Sequence, residues 1–266
     1  MPNAADPTKR FSNRVDNYIR YRPTYPPEVV TVLEQEAGLH REHVIADIGS
    51  GTGISTRLFL DHGNSVFAVE PNPAMRQAAE TSFAGNARFH SVNGTAEQTS
   101  LAANSIDFVV AGQAFHWFDQ TQARVEFSRI LRPSGWVLLM WNTRRTDTTT
   151  FLSEYEHLIS EFGIDYRQVN HRNIDQAKIQ SFFAPAQFRY RRLDHVQKLD
   201  CAGLIGRLAS SSYMPAESDP RFVPMSAAVE ELFQRHAHSG QVEIDYDTEL
   251  YFGQINVASE RNDRCS

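Results

Sequence analysis

The segment Val44-Ile45-Ala46-Asp47-Ile48-Gly49-Ser50-Gly51-Thr52-Gly53 constrains this chain more than any other. A short apolar run ends in alternating glycines, and a helical pattern resumes at Ser55. Glycines at such a strand-to-helix turn let the backbone reverse sharply and let a ligand approach with no Cβ in the way. The spacing is G-x-G-x-G, not the G-x-G-x-x-G of a dinucleotide fingerprint. Counted from Gly49 the third glycine position holds Ile54, and counted from Gly51 it holds Thr56.

The rest of the chain extends the alternation. Pro27 opens a helical run that Gly38 stops. Residues 43–48, 65–70, 88–92, 106–111 and 136–141 read as short buried strands, with helices predicted over 55–62, 73–82 and 120–131 between them. The turn Arg132-Pro133-Ser134-Gly135 leads into the fifth strand. Strands joined by helices imply a parallel sheet covered on both faces. The pattern breaks after about residue 142. Helices are expected over 150–163, 202–210 and 225–236, and strands over 188–199 and 241–254, the first of them near a sheet edge. The fold expected is therefore α/β: a Rossmann-like, doubly wound, mostly parallel seven-stranded sheet. It carries an antiparallel late strand and a helical insertion.

Composition removes several classes. The 266 residues carry 26 Lys and Arg against 32 Asp and Glu, a formal charge of −6. That balance argues against an electrostatic nucleic-acid binder. A hydrophobic fraction of 41% supports a sizeable core, and one large domain with an insertion fits as well as two domains. Cys201 and Cys265 are the two cysteines and no CxxC occurs, which points to a reducing compartment. His40-x-x-His43 and His236-x-His238 lack acidic or thiolate partners at ligand spacing, so no metal is expected. Residues 1–27 show no apolar leader, and the longest strongly apolar stretch, Trp136 to Trp141, is far too short to span a membrane. A cytoplasmic protein with no membrane partner is the expectation. No G-x-S-x-G, H-E-x-x-H or P-loop is present.

The glycine loop has an acidic companion. Glu70 ends the second strand, 21 residues beyond Gly49. In this topology a carboxylate there reaches the ribose hydroxyls of an adenosine; the alternative is that Glu70 only caps the helix starting at Pro73. Gly94-Thr95-Ala96-Glu97, after the third strand, could meet an adenine edge or form a plain turn.

Together, the residues 44–53, Glu70, Gly94-Thr95-Ala96-Glu97 and Leu131-Arg132-Pro133-Ser134-Gly135 resemble class I S-adenosylmethionine (SAM)-dependent methyltransferases of the type 11 group. The likeness covers about residues 40 to 142, and the turn reads Pro-Ser-Gly where the family more often has Pro-Gly-Gly. Tyr18-Ile19-Arg20-Tyr21-Arg22-Pro23-Thr24-Tyr25-Pro26 and Ala114-Phe115-His116-Trp117-Phe118 look like the branch of trans-aconitate methyltransferase and its small-molecule relatives. The resemblance implies SAM as cofactor and S-adenosylhomocysteine as its product. It implies that Asp47 fixes the glycine loop and the amino end of the methionine moiety. Gly49, Ser50, Gly51 and Gly53 would lie against the cofactor, Glu70 would hold the ribose, Asn72 would be a further cofactor-binding residue, and Ala96 and Glu97 would meet the adenine. Gln113 would contact the methionine end, and Tyr18 and Arg22 would close over its carboxylate. Residues 1–39 would form a helical cap over the cofactor, 40–142 the cofactor core, and 143–266 a substrate cap with the last two strands.

The topology locates the chemistry independently. In a doubly wound sheet the ligand lies where the strand order reverses, between the first and fourth strands. The fourth strand ends in Gly112-Gln113-Ala114-Phe115-His116-Trp117-Phe118-Asp119. His116 suits a general base, since its unperturbed pKa is about 6.5; a packed histidine is the equal alternative. A carboxylate acceptor would need no base, and His116 would then position. Phe115, Trp117, Trp141 and Tyr213 are the expected substrate-pocket residues, and Ser210-Ser211-Ser212 offer hydroxyls. Arg144 and Arg145 could bind a carboxylate, but a plain surface position is the reading favoured here. The function expected is methyl transfer to a small molecule, with oxygen as the favoured acceptor atom and a carboxylate among its forms. The alternatives are a nicotinamide-dependent oxidoreductase and a SAM-binding protein without catalysis. Oligomeric state is not written in the sequence.

Overall fold

The computed structural model describes residues 15–164, 166 and 176–255. Residues 1–14 of the expected N-terminal cap, and the last residues including Cys265, lie outside that set. Strands β1 (Val44–Ile48), β2 (Ser65–Val69), β3 (Phe89–Val92), β4 (Ile106–Gly112), β5 (Leu131–Arg144), β6 (Phe188–Leu199) and β7 (Val242–Gly253) form one sheet in the order β3-β2-β1-β4-β5-β7-β6. The first five run parallel, while β7 is antiparallel to both β5 and β6. The strand order reverses between β1 and β4, so their carboxyl ends open a crevice.

Side chains alternate across the sheet as the pleat requires. Ala46 and Ile48 of β1, Val109 and Ala111 of β4, and Val137 and Leu139 of β5 share one core with Phe127 and Ile130. Ile45, Phe108, Val110, Leu138 and Met140 point the other way, onto Val29, Leu33 and Phe59. The helices that supply these covers are α2 (Glu28–Ala37), α3 (Ile54–His62), α4 (Pro73–Ser82) and α5 (Gln120–Ile130). Gly38 ends α2 in the left-handed conformation, with its N–H on the Leu33 carbonyl, as a C-terminal glycine should.

Strand β5 is longer than the expected 136–141 because Arg132–Gly135 bulges within it: Ile106 pairs with Leu131 and Phe108 with Trp136. Its far end, to Arg144, runs beside the first half of β7. That half of β7 leaves the sheet core and enters a third core, where Val242, Ile244 and Tyr246 meet Leu152, Tyr155, Leu204 and Val229. The helices here are α6 (Thr150–Phe162), α8 (Cys201–Ala209) and α9 (Phe222–His236). Two further helices escape the sequence pattern. They are α1 (Val15–Tyr21), against α8, and α7 (Gln176–Phe183), whose Ile179, Phe182 and Phe183 cap the first core. Among the described residues no helix is long and apolar enough to cross a membrane.

Candidate active site

The crevice between β1 and β4 is a cleft of two lobes. The outer lobe, about 330 Å³, is walled by Glu70, Asn72, Thr95, Ala96, Glu97, Trp117 and Phe118. The inner lobe, about 100 Å³, is walled by Ser50, Ser55, Asn142, Arg144, Tyr166, Arg207 and Tyr246. Tyr18, Arg22, Gly49, Gly51, Gly112, Gln113 and Tyr213 belong to both walls, so the lobes meet over the glycine loop and the end of β4.

The glycine loop is held from below. Gly49 and Ser50 donate their N–H groups to the Val69 carbonyl, at 2.9 and 3.2 Å. The loop bends through left-handed φ values at Gly49, Gly51 and Gly53. A Cβ on Gly49 would stand 2.8 Å from the Ala114 side chain, whereas one on Gly51 would meet nothing within 4 Å. Gly51 thus faces open cleft.

Glu70 is buried and its two oxygens accept from different loops: Oε2 from the Gly51 N–H at 2.9 Å, Oε1 from the Asn72 N–H at 2.8 Å. Burial raises its pKa above the ordinary value, and those two bonds oppose the rise. Glu70 does not cap α4. That cap is Asn72, whose Oδ1 accepts from the N–H groups of Ala74 and Met75 at 2.9 and 3.1 Å. Each Glu70 oxygen keeps a lone pair for a hydroxyl in the outer lobe. Ala96 and Glu97 line the same lobe, and Glu97 also accepts from the Asp119 N–H at 2.9 Å.

Asp47 lies behind the inner wall, wholly buried. Its Oδ2 accepts from Thr56 at 2.6 Å and Ser55 at 2.7 Å. Burial pushes its carboxyl up to about 6, against those hydrogen bonds. Its Oδ1 has no partner, and neither do three other buried atoms in the wall: Arg22 Nε, Ser50 Oγ and Gln113 Oε1. Gln113 sits at a φ of 55° and its amide donates to the Asn142 carbonyl at 3.1 Å, which aims the side chain along the cleft. A buried polar atom left unpaired costs about 1–3 kcal/mol. Four of them in one place fit an elongated ligand that carries both donors and acceptors.

Several expected residues stand elsewhere. Phe115 and Trp141 line neither lobe: both are buried in the sheet core, Phe115 edge-on to Phe182 at 4.9 Å and Trp141 edge-on to Tyr251 at 5.8 Å. The apolar face of β5 decides this, because Trp141 alternates with Leu139 into that core. Gly53 is turned from the cleft toward Phe83. His116 also lies outside both walls, in the short 3-10 turn Phe115–Trp117, with its ring 4.8 Å from that of Trp117. His116 is an exposed residue, and partial desolvation of its ring lowers its pKa to about 4. Ser210 and Ser211 are buried away from the cleft, and only Ser212 and Tyr213 of that run face it.

Arg144 is the clearest correction. It is not an exposed surface residue but a partly buried one in the inner wall, paired with Glu156 and 3.3 Å from the Tyr166 hydroxyl. Arg145 is the one that pairs outward, with Asp247 at 2.6 Å and with Asp194. Sequence reasoning missed Arg207, Tyr166 and Tyr246 altogether. A signal for Arg207 existed, since it interrupts the apolar face of α8 between Leu204 and Leu208 beside Gly206. Among the described residues no cluster of His, Cys, Asp and Glu could hold a metal ion.

Residues 46–139 match the profile of a family described as a methyltransferase domain. An uncharacterized methyltransferase of Mycobacterium tuberculosis is 32% identical over 218 residues, covering 73% of this chain and 86% of that protein. An uncharacterized methyltransferase-like protein of Schizosaccharomyces pombe is 30% identical over 161 residues, covering 59% of this chain and 60% of that protein. A solved structure assigned as a type II methyltransferase, from Anaeromyxobacter dehalogenans, matches with a TM-score of 0.65 and 20% identity. The match covers 88% of this chain and 98% of that one, and it is a likeness of fold.

Proposed function

Because the chain belongs to the SAM-dependent methyltransferases, we propose that the outer lobe binds SAM and the inner lobe a small acceptor, methylated on oxygen. The membership sets the nicotinamide-dependent alternative aside. The observation that carries the reading is the shared wall at the glycine loop and the end of β4, where a donor in one lobe and an acceptor in the other would meet. The small inner volume supports a small-molecule acceptor. The likeness of residues 18–26 and 114–118 to the trans-aconitate methyltransferase branch supports the same class.

When bound, SAM supplies an activated methyl on a sulfonium, and the displacement leaves a neutral thioether. Glu70 would accept from the ribose hydroxyls, and Ala96 and Glu97 would border the adenine. Ser50, Gln113 and Arg22 would complete their unpaired atoms on the methionine end. The protein's main contribution is alignment and exclusion of water, which can supply on the order of 7–11 kcal/mol of a barrier. A hydroxyl acceptor must lose a proton. His116 is neutral at physiological pH, but it stands outside both walls of the cleft. A carboxylate acceptor loses none.

Calorimetric titration with SAM, S-adenosylhomocysteine and NAD tests the reading. Saturable binding of the first two and none of the third is expected, and binding of NAD alone would overturn it. Glu70→Ala should weaken SAM by about 1.5–3 kcal/mol through lost charged hydrogen bonds; unchanged affinity would remove the ribose role. Gly51→Ala should cost only about 1–2 kcal/mol of stability, for the left-handed φ alone, because its new methyl meets open space. The same methyl points into the cleft, so SAM affinity should drop by about tenfold or more. A variant that binds SAM normally would show that the cofactor does not lie against Gly51.

A further inference from the structure

The sheet ends on β6, which among the described residues pairs with β7 on one side and with no strand on the other. The ladder fixes which backbone groups are left over. The Arg145 N–H bonds the Asp245 carbonyl at 2.8 Å, so the odd-numbered residues of β7 turn toward β5. The even-numbered ones turn toward β6, where Ile244 and Tyr246 stand opposite Gln197 and His195. Within β6 the odd residues therefore bond β7. The N–H and C=O groups of Tyr190, Arg192, Asp194, Val196 and Lys198 point outward. The Tyr190 carbonyl accepts from the Arg191 side chain at 2.7 Å, as an outward group can.

Such an edge is a template for another strand, and proteins commonly blunt it with a proline, a bulge or charges. β6 holds neither proline nor glycine, and its register with β7 runs unbroken from Phe188 to Leu199. Its charges are largely offset within the chain: Arg189 and Arg191 by Glu36, Arg192 by Asp247, and Lys198 by Glu243. Asp194 pairs with Arg145, yet its side chain is 81% exposed and open to a second cation. Two large apolar side chains on the outward-bonding residues are also exposed, Tyr190 at 42% and Val196 at 44%.

The order of these side chains suits a second copy of the same strand. In a two-fold dimer residue i meets j of the copy, and j meets i. Outward groups must meet outward groups, so only the even residues bond across the seam. Antiparallel pairing centred on Leu193 puts Arg192 opposite Asp194 and Tyr190 opposite Val196, each pair formed twice. On the other face Leu193 meets its own copy, and Arg191 lies opposite His195, whose imidazole burial keeps neutral. Sliding one strand by two residues is the smallest step that keeps outward groups together. It moves the centre to Arg192 or to Asp194 and sets like charges face to face, which destabilises a strand pair.

From this self-complementary edge we infer that the chain forms a homodimer through β6, paired antiparallel with the β6 of a second copy about Leu193. The two seven-stranded sheets then continue into one. The seam is one strand from each chain, so the dimer is a weak one that forms and parts with concentration. What the cleft binds does not enter the inference.

Sedimentation velocity of the full chain from about 1 to 100 µM tests it. The dimer should grow in across that range, and a monomer throughout overturns the inference. Arg192→Asp alone and Asp194→Arg alone should each weaken dimerisation about tenfold or more, since either change sets like charges opposite each other twice. Mixing the two single variants should restore the dimer, because opposite charges then meet in the mixed pair. The double variant carrying both changes should recover most of the association. A dimer that neither single variant weakens forms through another face and overturns the inference; so does a mixture no more dimeric than its components. The concentration series uses the unaltered protein and stands even if a variant fails to fold.

Discussion

Asp47→Asn should stabilise the ligand-free protein above pH 6 and weaken its hold on SAM. Asp47 is wholly buried and its carboxyl is raised to about 6 by burial, with one oxygen left unpaired. The ordinary unfolded value is about 4. Between the two, the native state holds a proton that the unfolded chain has released, so stability contributed at this site falls as pH rises through that window. A shift of roughly two units amounts to about 3 kcal/mol. Asparagine carries no charge to bury and keeps an oxygen for Ser55 and Thr56. The variant's gain should therefore be near zero at pH 4, grow up to pH 6, and stay level above it. For a chain of this size that is a rise of several degrees in melting temperature. Melting curves of both proteins from pH 4 to 8 measure it, and parallel profiles would dismiss the assignment. On the proposed reading the negative charge behind the glycine loop favours the cationic methionine end, so SAM should bind the variant about tenfold or more weakly. A gain in stability with a loss in binding would mark Asp47 as a residue kept for its ligand.

The second large effect is Gly53→Ala, which should destabilise the fold by about 2–5 kcal/mol. Gly53 opens α3 at a φ of 89°, and a Cβ there would lie 2.4 Å from Cε2 of Phe83. Left-handed backbone costs a non-glycine residue about 1–2 kcal/mol, and overpacking a filled core adds about 1–3. Phe83 is held in place: it is buried, 4.9 Å from the Phe89 ring and covered by the Arg57 guanidinium at 4.6 Å. Gly51, two residues earlier in the same loop, meets no such obstacle. Thermal unfolding should separate the two: a drop on the order of 10 °C for Gly53→Ala and a few degrees for Gly51→Ala. Equal drops would mean that Phe83 moves aside and that the loop tolerates a methyl at either place.

The contrast between these glycines shows how far sequence reading reaches. Both lie in a motif that announces a ligand-binding turn, and the turn is where it was expected. That one glycine faces the cleft and the other Phe83, the residue that ends α4, depends on how α4 packs, which no spacing encodes. The same holds for Glu70. Its distance from Gly49 and its place at a strand end marked it, but only packing shows that it bridges Gly51 and Asn72 while Asn72 caps the helix. His116 drew attention as the histidine after β4, yet a one-turn 3-10 segment puts it outside the cleft wall.

What the sequence determined by itself was local and periodic. Apolar runs bounded by glycine and proline specified strands and helices within a few residues, and their alternation specified a doubly wound sheet with its crevice between β1 and β4. These follow from backbone sterics and from burial of one face at a time, which neighbouring residues decide among themselves. Only the tertiary structure decided the inner lobe. Arg22, Arg144, Arg207 and Tyr246 come from four separate stretches of the chain; the resemblance marked Arg22, but Arg207 and Tyr246 each read alone as an ordinary residue. Trp141 reads as a site aromatic until β5 turns it into the core. Long-range packing sets which side chains share a cavity, and the charge balance of that cavity belongs to no single stretch of chain.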